Sequence, residues 1–166
     1  MSDIKPHASQ LQIVVPQVST REDRVTVPAN PPSIASPQFS IGPAGERFPL
    51  PSADDYREER KRLEALVAAE RREGREIVVV MGVGFVGAVM AGVVADSVNR
   101  RTGKPGKFVL AMQRPSGRSY WKIPYLQQGK PPVQSEDPEV EQIIRRCGLE
   151  KKTLSATFSY DALEFA

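Results

Sequence analysis

Residues 77–95 read IVVVMGVGFVGAVMAGVVA, nineteen positions without a charge. Two physical readings compete for this stretch. As one helix it is just long enough to cross a bilayer, and Gly84, Ala88 and Gly92 would place a small residue at every fourth position. As a strand, a turn and a helix it divides cleanly. Ile77–Val80 is four β-branched residues in a row, the pattern of a buried parallel strand. Glycines then fall at 82, 84 and 87, spaced G-x-G-x-x-G. The second reading is the better fit, because the glycines sit where a strand must turn sharply into a helix. It predicts a helix from Phe85 to about Asn99, ended by the turn-rich segment 102–106, RTGKPG with Arg101.

Strand, glycine turn and helix together have a chemistry. Gly82 permits the tight turn, Gly84 lets a pyrophosphate approach the backbone, and Gly87 allows the helix to pack closely on the strand. The first helical amides, near Phe85 and Val86, carry partial positive charge that suits an anion. Gly82, Val83, Gly84, Phe85, Val86 and Gly87 are therefore the candidate dinucleotide-binding turn.

Outward from this centre the chain alternates. Lys107–Met112 reads as a second strand, 119–128 as a short helix or turn, Asp137–Arg146 as a helix capped by Asp137 with Pro138 first. Lys152–Phe158 reads as a third strand, and 159–166 as a helical turn capped by Ser159. Upstream, 53–73 reads as a helix with Ser52 as its cap, Asp54 and Asp55 in its first turn and Gly74 just past its end. Tyr56, Leu63, Leu66 and Val67 give this helix a narrow apolar stripe. The order predicts an α/β fold: a partial Rossmann-type parallel sheet of about three strands with a leading helix. Residues 1–51 hold nine of the 15 prolines and read as a disordered Pro-rich tail, either dispensable or a tether for a partner. Within it Leu11–Val15 has strand character but no evident mate. The expected divisions are 1–51, 52–75 and 76–166.

In an NAD site an acid at the end of the second strand holds the ribose hydroxyls. Here that strand ends Met112-Gln113-Arg114-Pro115-Ser116. Gln113 can hydrogen-bond a ribose hydroxyl. Arg114 and Ser116 suit a 2′-phosphate, so NADP stays open beside NAD.

Composition excludes other chemistry. The chain has one cysteine, Cys147, and one histidine, His7. That is too few for a disulfide scaffold, a Cys/His zinc site or a Ser-His-Asp triad. Residues 77–134 carry eight basic groups against Asp96 alone, an excess that invites an anionic partner such as a phosphate. Lys5 is followed by polar residues and prolines, not by the apolar core of a signal peptide, and a cytoplasmic location is expected.

Three segments, VVVMGVGFVG (78–87), KIPYLQQGKPPVQSEDPEVEQII (122–144) and LSATFSYDAL (154–163), occur in the order expected of the nucleotide-sugar dehydrogenases. The chain from about 76 onward resembles the N-terminal cofactor domain of that UDP-glucose/GDP-mannose dehydrogenase family. Gly129, Pro131 and Glu136 resemble the family's segment after the second strand, and Leu154, Ser155, Ala156 and Thr157 its third strand. The resemblance implies NAD as cofactor and a polysaccharide-precursor chemistry, the two-step oxidation of a sugar primary alcohol to a carboxylate. It also implies that the catalytic cysteine, lysine and sugar-binding parts lie elsewhere, so that Cys147 is a structural thiol and this chain holds no catalytic residue. The expectation is a catalytically incomplete fragment that meets a nucleotide sugar only as part of a full-length enzyme, with a homo-oligomer among the partners considered. A stand-alone nucleotide-binding or regulatory module is the alternative, with a single-span membrane protein third. Neither nucleic acid nor membrane is an expected partner.

Overall fold

The computed structural model describes residues 38–135 and 137–166. Residues 1–37, with Leu11–Val15 and His7, lie outside it, as does Glu136. The described part begins with a hairpin, β1 (Phe39–Ile41) and β2 (Arg47–Pro49), paired antiparallel with Ser40 opposite Phe48. This corrects the expected tail from residue 38 onward. One proline there shapes a turn: Pro43 follows Gly42, Gly45 N–H donates to Gly42 C=O at 3.0 Å, and Gly42 N–H donates to Glu46 C=O at 2.8 Å. Ser40 is fully buried and its hydroxyl accepts from Trp121 N–H, and the Tyr125 hydroxyl donates to Glu46. The hairpin is thereby fastened to the segment after the second parallel strand.

α1 (Ala53–Arg72) starts on a capping box: the Ser52 hydroxyl accepts from Asp55 N–H, and the Asp55 carboxylate accepts from Ser52 N–H at 2.7 Å. The sheet follows: β3 (Glu76–Met81), β4 (Lys107–Met112) and β5 (Leu154–Thr157), parallel and in the order β3-β4-β5. Register pairs Val79 with Leu110 and Ala111 with Ala156. α2 (Phe85–Asp96), α3 (Lys122–Gln127) and α4 (Pro138–Arg145) join the strands, and a π-helical turn (Arg146–Glu150) extends α4. A 3-10 helix (Tyr160–Phe165), capped by Ser159, follows β5.

Strand alternation sorts the core into two layers. Val78, Val80, Val109, Ala111, Leu154 and Ala156 face α2, α3 and α4, where Ala91, Ala95, Ile123, Leu126, Ile144 and Cys147 fill the space. Ile77, Val79, Phe108 and Leu110 face Leu63 and Val67 of α1 and Ala162. The result is a Rossmann-like α/β/α arrangement. No helix among the described residues is long and apolar enough to cross a membrane, and the 77–95 stretch divides into strand, turn and helix.

Two polar clusters hold the layers. Glu59, only 7 % exposed, accepts from the Thr157 hydroxyl at 2.6 Å and from Arg62, which also donates to Ala156 C=O at 3.0 Å. This ties α1 to β5. At the other end of α2, Asp96 takes two bonds from Arg146 and one from Lys151 at 2.8 Å. The helix stops at Asp96, short of the expected Asn99, because Ser97 is extended and Val98 bridges to Pro105. The Arg146 guanidinium, helped by Lys151 and opposed by burial, holds the Asp96 carboxyl well below its ordinary value of 3.8. A carboxyl depressed in this way stabilises the fold above its unfolded pKa and loses that contribution as pH falls through and below it. Urea midpoints measured from about pH 5 downward are therefore expected to drop less steeply in Asp96→Asn than in the parent. Equal slopes would show that this cluster carries no pH-dependent stability.

Candidate functional site

The glycine turn joins β3 to α2, and each glycine in it answers to a different cause. Gly82 has φ +84°, a conformation L-residues rarely adopt. Gly87 is fixed by space, since a Cβ there would overlap the Gly82 carbonyl oxygen and lie 3.0 Å from its carbon. Gly84, the N-cap of α2, is different. Its φ is −71°, and nothing in the protein lies within 4 Å of where its Cβ would be.

The turn opens on a cleft of about 730 Å³ lined by Val78–Gly82, Gly84–Gly87, Met90 and Val94. Phe85 and Val86 are exposed there, Val86 at 71 %. Along α2 the first regular bond runs from Ala88 N–H to Gly84 C=O at 2.9 Å, so the preceding amides are left to other acceptors. The first turn of α2 holds no acid, and its dipole is uncompensated there.

Of the six turn residues expected to bind, Gly82, Gly84, Phe85, Val86 and Gly87 line this cleft together. Val83 does not. Its side chain is fully buried, its N–H donates to Gln113 Oε1 at 3.0 Å, and its C=O accepts from Lys122 Nζ at 3.2 Å. Gln113 and Arg114 stand at the end of β4. Gln113 is engaged with the turn itself, and the Arg114 side chain is exposed.

Lys122 is the residue that sequence reasoning passed over. It lies 39 positions from Val83, and its only advance signal is the basic excess of the central stretch. It also borders a second cavity of about 750 Å³ with Trp121, Tyr125 and Lys130. Cys147 is fully buried, its Sγ 3.6 Å from Gly92 C=O and from Asp96. Burial, with the Asp96 charge, pushes its thiol up to about 11, which leaves little thiolate at neutral pH.

A Rossmann-like sheet whose first strand turns through G-x-G-x-x-G into a helix is an arrangement that dinucleotide-binding domains use. No family model and no curated protein matches the sequence. Among solved structures the chain is similar to the NDP-N-acetyl-D-galactosaminuronic acid dehydrogenase from Methanosarcina mazei Go1, with 29 % identity and a TM-score of 0.44. The match covers 58 % of this chain and 18 % of that one.

Proposed function

We propose that the Gly82–Gly87 turn binds the pyrophosphate of a nicotinamide adenine dinucleotide, and that the chain is the cofactor-binding portion of a nucleotide-sugar dehydrogenase. The observation that carries this reading is Gly84. Neither backbone conformation nor packing requires glycine there, and the residue stands at the N-cap of α2, open on the side a Cβ would fill. A ligand's close approach explains that residue where the fold does not. The enzyme class rests on the three segments that resemble the family, at 78–87, 122–144 and 154–163.

In such an enzyme the dinucleotide supplies the hydride acceptor for oxidation of a sugar primary alcohol. The residues of this chain bind and orient. The free amides of the turn hold the phosphates, while Gln113 and Lys122 hold the two backbone groups of Val83 and so fix the turn's shape. Calorimetric titration of the full chain with NAD and with NADP tests the reading. Saturable 1:1 binding of at least one is expected. Heat-silent titrations of both, with no shift in the amide resonances of residues 84–87, would overturn it.

A further inference from the structure

The end of β4 is where this fold meets the adenosine ribose. An acid there selects the bare 2′-hydroxyl and repels a 2′-phosphate; an arginine accommodates the phosphate. Residues 113–122, QRPSGRSYWK, contain Arg114, Arg118 and Lys122 and no acid. Three carboxylates line the neighbouring cavity with Tyr120: Asp55 is used in the capping box and Glu59 on Arg62 and Thr157, while Glu58 is the third.

Gln113 is the one neutral side chain at the strand end suited to a ribose diol, and both ends of its amide are occupied. Its Oε1 accepts from Val83 N–H at 3.0 Å, and its Nε2 donates to Arg114 C=O at 3.3 Å. Turning toward a ribose would release the glycine turn. Arg114 is in the opposite state. Its carbonyl also accepts from the Ser119 hydroxyl at 3.0 Å, which pins its backbone. Its exposed guanidinium pairs with no other described residue. Beside it the Ser116 and Ser119 hydroxyls are half-buried and 2.7 Å apart. A pinned arginine without a counter-charge, at the strand end and far in sequence from any acid, is a donor for a phosphate. The Ser119 proton is given to the Arg114 carbonyl, so only the Ser116 hydroxyl can turn to add a second donor.

We propose that Arg114, with Ser116, forms a 2′-phosphate subsite, so that the dinucleotide this chain prefers is NADP and not the NAD that the family resemblance implies. The inference rests on the dinucleotide reading of the glycine turn and names the ligand of that same site. Competing calorimetric titrations of the full chain at one ionic strength test it. NADP is expected to bind roughly tenfold or more tighter than NAD, the value of a charge-assisted contact. The preference is expected to weaken as salt is added. Arg114→Ser is expected to bring the NADP-to-NAD ratio near one, and Arg114→Asp to invert it. In the unaltered chain, 2′-AMP is expected to displace bound ligand better than 5′-AMP, a comparison that needs no variant to fold. Equal or tighter binding of NAD by the parent overturns the subsite and leaves the turn reading standing. Binding of neither dinucleotide overturns both. A ratio unmoved by Arg114→Ser removes Arg114 from the site.

Discussion

Replacing Gly87 by alanine is expected to cost about 3 kcal/mol of stability, the upper range for overpacking a rigid site. The added methyl meets the Gly82 carbonyl, and that carbonyl is not free to retreat. Gly82 N–H is bonded to Met112 C=O at 2.7 Å, which ties it to β4. The next residue, Val83, is held at both backbone groups and buried by its side chain. Relief must therefore come from lifting α2 off the sheet. That would open the layer formed by Ala88, Ala91 and Ala95, three fully buried small residues that let the helix lie close. Urea unfolding followed by circular dichroism measures the loss. A midpoint equal to the parent's would mean that the approach of helix to turn is not as tight as described.

Replacing Gly84 by valine is expected to do the reverse. The position is extended, φ −71° and ψ −168°, which a β-branched residue accepts. No protein atom lies within 4 Å of the new Cβ, and the N-cap substitution should cost about 1 kcal/mol or less. Dinucleotide affinity is expected to fall by roughly a hundredfold or more, because the side chain fills the space the pyrophosphate needs. The pair of variants separates two roles that one motif conceals. Gly87→Ala damages the fold, whereas Gly84→Val leaves the fold and removes the ligand. Undiminished binding by Gly84→Val would place the ligand elsewhere.

Local signals were legible in the sequence wherever a single residue decides a boundary. Ser52, Asp137 and Ser159 cap the helices expected of them, and Lys107–Met112 has the expected limits. The turn was legible because glycine is the rare residue whose presence is itself a conformational statement. What escaped depends on contacts distant in sequence. Glu59 reads as one more surface charge on a helix rich in charges, and it is buried because Thr157 lies opposite. Proline content made 38–51 look disordered, although Pro43 shapes a turn and Ser40 finds Trp121 some eighty positions away. Gln113 stands at the strand end that the sequence indicates, and its bond across to Val83, thirty positions away, has no local signal.

The two flanks of the parallel sheet are finished differently. Along β5, Ala156 C=O points away from β4 and receives Arg62 at 3.0 Å and Gln127 at 3.4 Å. A strand arriving on that side would find its acceptor taken by a charged group and its path crossed by two long side chains. Along β3 no described strand pairs on the outer side, and the neighbouring surface is apolar, with Met81 and Met90 each 54 % exposed. The two edges of the sheet are thus unequal: the outward carbonyl of Ala156 on β5 is occupied, whereas β3 is open beside an apolar surface, and the glycine turn stands at the end of that open strand.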